Sequence, residues 1–171
     1  VLWDVEGGRV AGSLMGRMDE FQGLSFSPDG RRLVAAGRNQ HSVTIWDTVS
    51  REAQMKLPGD ATAVVFSPDD RVLALGRPNG HIALCDAHSG HQVGTVTGAG
   101  QTLWVACSPD GRLAASVVGG CDDYDYLVLL WELDTGRIAR LWRVPAYTHT
   151  EPVTFSPDGK ALAMGSLNGV R

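Results

Sequence analysis

The chain is sparing with cysteine, has no long apolar run and gathers no charge of one sign in one place. Among its 171 residues there are three cysteines, Cys85, Cys107 and Cys121. An odd number cannot pair completely within one chain, and their spacing matches no metal-binding pattern. That argues against a disulfide framework, and a reducing compartment, the cytoplasm, is the expected setting. No hydrophobic stretch nears the ~20 residues that a membrane-spanning helix needs. The opening VLWDVEGGRV lacks a basic stretch followed by an apolar one, so it does not read as a signal peptide. Fifteen Lys and Arg are scattered among nineteen Asp and Glu, for a net charge of −4. That leaves no basic footprint for nucleic acid. Nor does any segment keep a helical hydrophobic period over the ~11 residues that would identify an amphipathic helix.

What is present is a repeated phrase. FSPDG stands at 26–30, FSPDD at 66–70, CSPDG at 107–111 and FSPDG at 155–159. From serine to serine the steps are 40, 41 and 48 residues. About nineteen residues after a phrase comes a second marker: Trp46-Asp47, Cys85-Asp86, and later Trp131-Glu132, with a further copy at Trp3-Asp4. Between the markers lie short alternating segments such as RRLVAAG, SVTIWD, RVLALG and HIALCD, bounded by turn residues, and these read as strands. A period of this size, with four short strands in each repeat, predicts an all-β fold of stacked antiparallel units.

The phrase has a mechanical reading. Pro28 presets φ for the second position of a type I turn, Asp29 suits the third, and Gly30 takes the left-handed geometry that follows. Each phrase therefore closes a hairpin between the first and second strands of its unit. In the second copy Asp70 replaces the glycine, at an expected cost of ~1 kcal/mol or less, because Asp tolerates the left-handed region better than most residues. Asn79-Gly80 and Asn168-Gly169 are hairpin signals for the turn between the second and third strands. Cys107 occupies the place of Phe26, and Cys85 that of Trp46, so both cysteines read as small buried hydrophobes.

SPDG turns followed by WD-type dipeptides on this spacing resemble the WD40-repeat β-propellers, with divergent repeats of a bacterial type, across essentially the whole chain. The TolB-like propellers are the nearest competitor, since they use similar SPDG turns. The resemblance implies a propeller of four-stranded antiparallel blades. The chain would supply four WD40-like repeats of a seven- or eight-bladed ring, with blades at about 15–57, 58–97, 98–144, and 145–171 completed by 1–14. Many members join a His, a Ser or Thr, an Asp and the Trp in a buried polar network. Three blades here lack that His, and His149 lies closer to its turn than the pattern asks. Asn79 and Asn168 stand in the Asp region, so the network is expected to be absent or partial.

Two readings of the ends stay open. SLNGVR at 166–171 begins a third strand and VLWDV at 1–5 resembles the remainder of one, with a period across the joined ends of 42 residues. That fits a four-blade unit closing on itself or pairing with a second copy. Alternatively the chain is a piece of a longer propeller, with open blade edges prone to self-association.

Catalytic motifs are missing. GSLMG at 12–16 lacks the glycine spacing of a nucleophile elbow, and GGRVAGS at 7–13 has no phosphate-gripping lysine. His88 and His91 lack the two further ligands of a zinc site and read as a solvated turn. No cofactor or metal is expected. The one irregularity is GGCDDYDY at 119–126, about four residues longer than the matching connection in the first repeat. Asp122, Asp123, Tyr124 and Asp125 crowd there, as an acidic solvated loop, a partner contact or, least simply, a calcium loop.

The resemblance marks one rim of the ring as the usual docking face. That rim would carry Arg17, Phe21, His41, Arg77, Asp122, Asp123, Tyr124, Asp125, Tyr147 and His149, a mix of aromatic and charged groups that suits a protein interface. The expected function is a non-catalytic scaffold for protein–protein interaction, within a larger signalling or regulatory protein, binding neither nucleic acid nor membrane. The alternative is a propeller accompanying a hydrolase or kinase, or a TolB-like propeller.

Overall fold

The computed structural model describes residues 1–14, 21–37, 42–98, 100–119, 125–145, 152–166 and 169–170, and among them there are strands and turns but no helix. A two-stranded sheet comes first, β1 (Leu2–Asp4) and β2 (Arg9–Gly12). The first full unit is β3 (Phe21–Phe26), β4 (Arg32–Gly37), β5 (Ser42–Asp47) and β6 (Ala53–Pro58). The second is β7 (Ala63–Phe66), β8 (Val72–Gly76), β9 (Ile82–Asp86) and β10 (Gln92–Val96). The third is β11 (Thr102–Cys107), β12 (Leu113–Gly119), β13 (Asp125–Glu132) and β14 (Ile138–Pro145). A three-stranded sheet ends the chain, β15 (Val153–Phe155), β16 (Leu162–Ser166) and β17 (Gly169–Val170).

Every pairing is antiparallel between consecutive strands, so each sheet is a meander whose spatial order follows the chain. The first strands β3, β7, β11 and β15 pack side by side from unit to unit, which sets the sheets radially, as blades about an axis. An antiparallel meander of this size cannot hide both faces by itself, so each unit relies on its neighbours. The sequence pattern agrees. Second and third strands are buried on both faces and read as nearly continuous apolar runs, LVAA in β4 and IALC in β9. Fourth strands are largely exposed and carry polar residues, as in β6 and β10.

Two apolar clusters fill the gaps between full units. One joins Val34, Val43, Ile45 and Leu57 to Val64, Phe66, Leu73 and Cys85. The next joins Ala74, Ile82, Leu84 and Val96 to Ala114, Leu129 and Trp131. A third cluster lies between the third unit and the last sheet, around Val117, Val128 and Val153.

All four SPDG turns share one set of hydrogen bonds. In the first, Ser27 Oγ donates to Asp29 Oδ1 at 2.6 Å and accepts the Arg32 N–H at 2.9 Å. The Arg31 N–H donates to Asp29 Oδ1 at 3.0 Å. Ser67, Ser108 and Ser156 repeat the arrangement with Asp69, Asp110 and Asp158. These donors hold all four carboxyls below the ordinary Asp range, the serine hydroxyl contributing most. The fourth position is left-handed in each, with φ of 70° at Gly30, 69° at Gly111 and 70° at Gly159. Asp70 adopts the same geometry at 61°, as the turn chemistry requires.

Candidate protein-interaction face

The two ends of the blades differ in construction. One end carries the SPDG turns and, beside them, a second family of turns that the WD marker opens. Asp47 Oδ1 accepts the N–H groups of Val49 and Ser50 at 2.8 and 2.7 Å. Asp86 does the same for His88 and Ser89 at 3.1 and 2.7 Å, and Asp4 for Gly7 at 3.1 Å. Amide donation lowers the Asp47 and Asp86 carboxyls, with Ser50 and Ser89 the largest contributors. Each turn ends in a left-handed residue: Gly8, Arg51, Gly90 and Gly136. The spacing [D/E]-x-x-[S/T/G]-[G/R] that encodes this turn is visible in the sequence. Neighbouring turns are then tied together, since Thr48 N–H donates to Arg31 O at 2.9 Å and Ala87 N–H to Arg71 O at 2.8 Å. With their polar groups engaged internally, the HSGH residues are part of such a turn. Among the described residues no group of His, Cys, Asp and Glu is placed to hold a metal.

The opposite end is where sequence reasoning puts the docking face. Of its ten candidates, Arg17, His41, Asp122, Asp123, Tyr124, Tyr147 and His149 lie outside the described residues. Phe21 begins β3 opposite Gly37, and Asp125 begins β13 opposite Pro145. Arg77 follows β8 directly. The three thus stand at the same end of three successive sheets.

Arg77 is the informative one, because its guanidinium is engaged with backbone. Nη1 donates to Asp60 O at 2.7 Å and lies 3.4 Å from Pro58 O. Burial draws the group below the ordinary arginine value. Its own N–H donates to His81 O at 2.8 Å, and its carbonyl accepts the N–H groups of Gly80 at 3.1 Å and Thr102 at 3.2 Å. Arg77 therefore ties together three chain segments: the entry to the second unit, the turn after β8 and the entry to the third unit.

The rim around it is close-packed. A Cβ on Gly98 would stand 2.5 Å from Gly80 O, and one on Gly100, at φ 90°, would stand 1.8 Å from Gly119 O. Thr62 Oγ1 reaches Thr102 O across the gap between units. Pro58, Pro78, Asn79 and Thr97 are exposed on this framework.

Within the third unit, the Trp131 indole N–H and the Ser116 hydroxyl are both buried and have no hydrogen-bond partner among the described residues. Both lie in strands of that unit, β13 and β12. The buried polar network expected to be absent or partial is thus incomplete there, and Trp131 serves by volume.

Comparison with known proteins fits this architecture. Residues 12–47 match the family model of the WD domain, G-beta repeat, and residues 41–107 that of the anaphase-promoting complex subunit 4 WD40 domain. The chain is 35% identical over 102 residues to eukaryotic translation initiation factor 3 subunit I of Pyricularia oryzae, an alignment covering 59% of this chain and 28% of that protein. It is 33% identical over 139 residues to WD repeat-containing protein SL1-17 of Schistosoma mansoni, covering 78% of this chain and 44% of the relative. The alignments thus reach less than half the length of either relative. Among solved structures, Kuenenia stuttgartiensis hydrazine synthase superposes with a TM-score of 0.85 at 20% identity, over 94% of this chain and 47% of that one, a likeness of fold. Four SPDG turns on one hydrogen-bond plan, WD-type turns beside them and radial four-stranded sheets coincide with those matches, and the chain belongs to the WD40-repeat family of β-propellers.

Proposed function

We propose that the chain is part of a non-catalytic binding platform, a segment of a seven- or eight-bladed ring within a larger signalling or regulatory protein. Its protein partner docks on the rim opposite the SPDG turns. The observation that carries this reading is the close packing of that rim. Arg77, Gly98, Gly100 and the Thr62–Thr102 contact fix the loop bases of the second and third units, so side chains on the loops are offered from a preorganised frame. The contact residues are Arg17, Phe21, His41, Asp122, Asp123, Tyr124, Asp125, Tyr147 and His149, with Arg77 as their support. The free thiols of Cys85 and Cys107 suit a reducing compartment.

The decisive experiment replaces Tyr124 and Asp125 together by alanine and compares partner sets by quantitative affinity purification. Loss of partners with an unchanged denaturation midpoint supports the proposal. An unchanged partner set rejects it.

A further inference from the structure

We propose that the outer cleft between the second and third units binds an extended, acidic segment of a partner protein, with apolar side chains at alternate positions. The inference rests on the packing of two neighbouring blades and does not depend on the docking rim.

The first observation is an apolar stripe. Leu127, Leu129 and Trp131 of β13 belong to the cluster between the second and third units. Their cross-strand partners in β14 are Arg143, Leu141 and Ile138, which therefore lie on the same face. At the places of Leu141 and Ile138, the second unit has Thr95, paired with Ala83, and Gln92, paired with Cys85. Those two are polar, and Gln92 Nε2 donates to Thr95 Oγ1 at 2.7 Å. The first unit has Lys56 and Ala53 there. Among the three full units, the third alone places two large aliphatic groups at these positions, and Leu141 and Ile138 are 51% and 44% exposed. The second unit, which stands opposite them, is described throughout β7 to β10, so the stripe is open beside a whole neighbour.

The second observation is a side chain missing from the opposite wall. At the first junction Ile45 pairs with Met55, and Met55 packs against the apolar cluster between the units. At the second junction the matching pair is Leu84 and Gly94. The nearest atoms to a Cβ placed on Gly94 would all be those of Leu84, at 3.5 to 3.9 Å, so no group of the third unit occupies the place. The backbone of Gly94 is not left-handed, and its conformation does not call for glycine. The cleft is thus walled by Leu141 and Ile138 on one side and notched at Gly94 on the other.

The third observation names the occupant by charge. Basic residues are scattered along the chain as a whole, yet three of the fifteen fall at Arg137, Arg140 and Arg143, with no Asp or Glu between them. Among the described residues none of the three forms an ion pair, and β10 across the cleft carries no charged residue. β14 is also the outermost strand of its sheet, so its free edge offers backbone donors and acceptors. Arg143 stands two residues from Leu141 on one face, about 7 Å along the strand. An added strand alternates with the same period. An apolar side chain entering the notch between Gly94 and Leu141 is therefore accompanied, two residues away, by a carboxylate at Arg143. Nucleic acid would satisfy the arginines but leave the aliphatic stripe uncovered.

The test measures binding of short dye-labelled peptides to the intact protein by fluorescence anisotropy. Alternating Val-Glu is the probe, and alternating Val-Lys and Ser-Glu are the controls. Val-Glu should bind at least about tenfold more tightly than either, since only it meets both the stripe and the arginines. Gly94→Met gives the second junction the side chain that Met55 supplies at the first. It should lower Val-Glu affinity at least about tenfold while leaving the denaturation midpoint unchanged or raised. Arg143→Glu should weaken Val-Glu and strengthen Val-Lys. Failure of Val-Glu to bind overturns the proposal, as does Ser-Glu binding of equal strength, or Val-Glu binding that survives Gly94→Met. Displacement of Val-Glu by single-stranded DNA would make the arginines a nucleic-acid contact and overturn it as well.

Discussion

Between the first and second units the third-strand marker is Cys85, set among Phe66, Leu73 and Leu75; between the second and third it is Trp131, set near Cys107, Ala114 and Ser116. The positions correspond one to one. Where the marker is small, all three neighbours are large, and where it is large all three are small. Cores tolerate such trades when total volume is kept, because a void and an overlap both cost energy. The tryptophan of the repeat is thus one of two ways to fill the same space. A polar difference accompanies the apolar one. At the first junction Arg32 Nη2 meets Asp70 Oδ1 at 2.7 Å, Nη1 reaches Ala87 O, and the guanidinium lies 5.1 Å from the centre of the Phe66 ring. At the second junction the matching residues are Val72, Gly111, Leu133 and Cys107, and no such strut can form.

The largest expected effect comes from breaking the trade on one side. Trp131→Cys, which gives the second junction a small marker among small neighbours, should cost about 3–5 kcal/mol through lost burial and a cavity. Adding Ala114→Leu and Ser116→Leu transplants the first junction's set and should recover part of that loss. The reverse change, Cys85→Trp among Leu73 and Leu75, should overpack and cost about 1–3 kcal/mol. Urea denaturation midpoints decide the matter, and a Trp131→Cys loss that the two leucines leave untouched would refute the volume account.

The strut gives the next effect. Arg32 and Asp70 side chains are 13% and 25% exposed, so the pair is shielded enough for its loss to be felt. Arg32→Met should cost about 1–3 kcal/mol, since it leaves Ala87 O and the Asp70 carboxylate short of a donor. Asp70→Gly removes the left-handed strain but also the ion pair. In the native background it should destabilise, and in the Arg32→Met background it should stabilise by up to about 1 kcal/mol. A double-mutant cycle without that change of sign would mean that Asp70 is tolerated in the turn and not used across the junction.

How much of this was legible beforehand follows from which forces are local. The SPDG turns, their left-handed fourth position and the strands between them were readable, because a proline, an aspartate and a glycine act on their own backbone. Asp70 was readable as a strained residue, but its partner was not, since Arg32 lies 38 positions away and nothing in a turn motif says which neighbour it faces. The small–large trade at Cys85 was half visible, as a cysteine in a tryptophan's place. The compensating leucines emerge only once β8 and β9 are seen side by side. Arg77 was named for the docking rim as a charge to be offered, whereas its guanidinium is engaged with backbone carbonyls. Free and engaged arginines look alike in sequence. The third-to-fourth strand turn was readable at HSGH, but its anchoring by the aspartate of the WD marker was not.

Acid should leave the comparison between junctions unmoved. Asp69 and Asp110 belong to the SPDG turns of the second and third units, one on each side of the second junction, and accept the same serine hydroxyl and backbone donors. Their folded pKa values, like those of Asp29 and Asp158, lie below the unfolded value. The stability they contribute is therefore fully present above about pH 4 and is lost as pH falls through the lower folded values. Thermal midpoints should decline on the acid side, and Ser67→Ala and Ser108→Ala should each flatten that decline to a similar degree. A flattening confined to one of the two would assign the turns different roles.

The smallest effect uses the cysteines as reporters of each junction. Cys85 lies in the first junction, 3% exposed, and Cys107 borders the second. Burial raises both thiols, Cys107 up to about 12, so neither should react with a thiol reagent near neutral pH unless its junction opens. In a Cys121→Ser background, labelling of each then measures local opening. Trp131→Ala removes the side chain that closes the second junction, so it should speed labelling of Cys107 much more than that of Cys85. Units in a repeat array are held by nearest-neighbour interfaces, and damage at one should stay largely where it is made. Equal acceleration at both cysteines would mean that the blades open as a single cooperative body, and the two junctions would then differ in composition but not in independence.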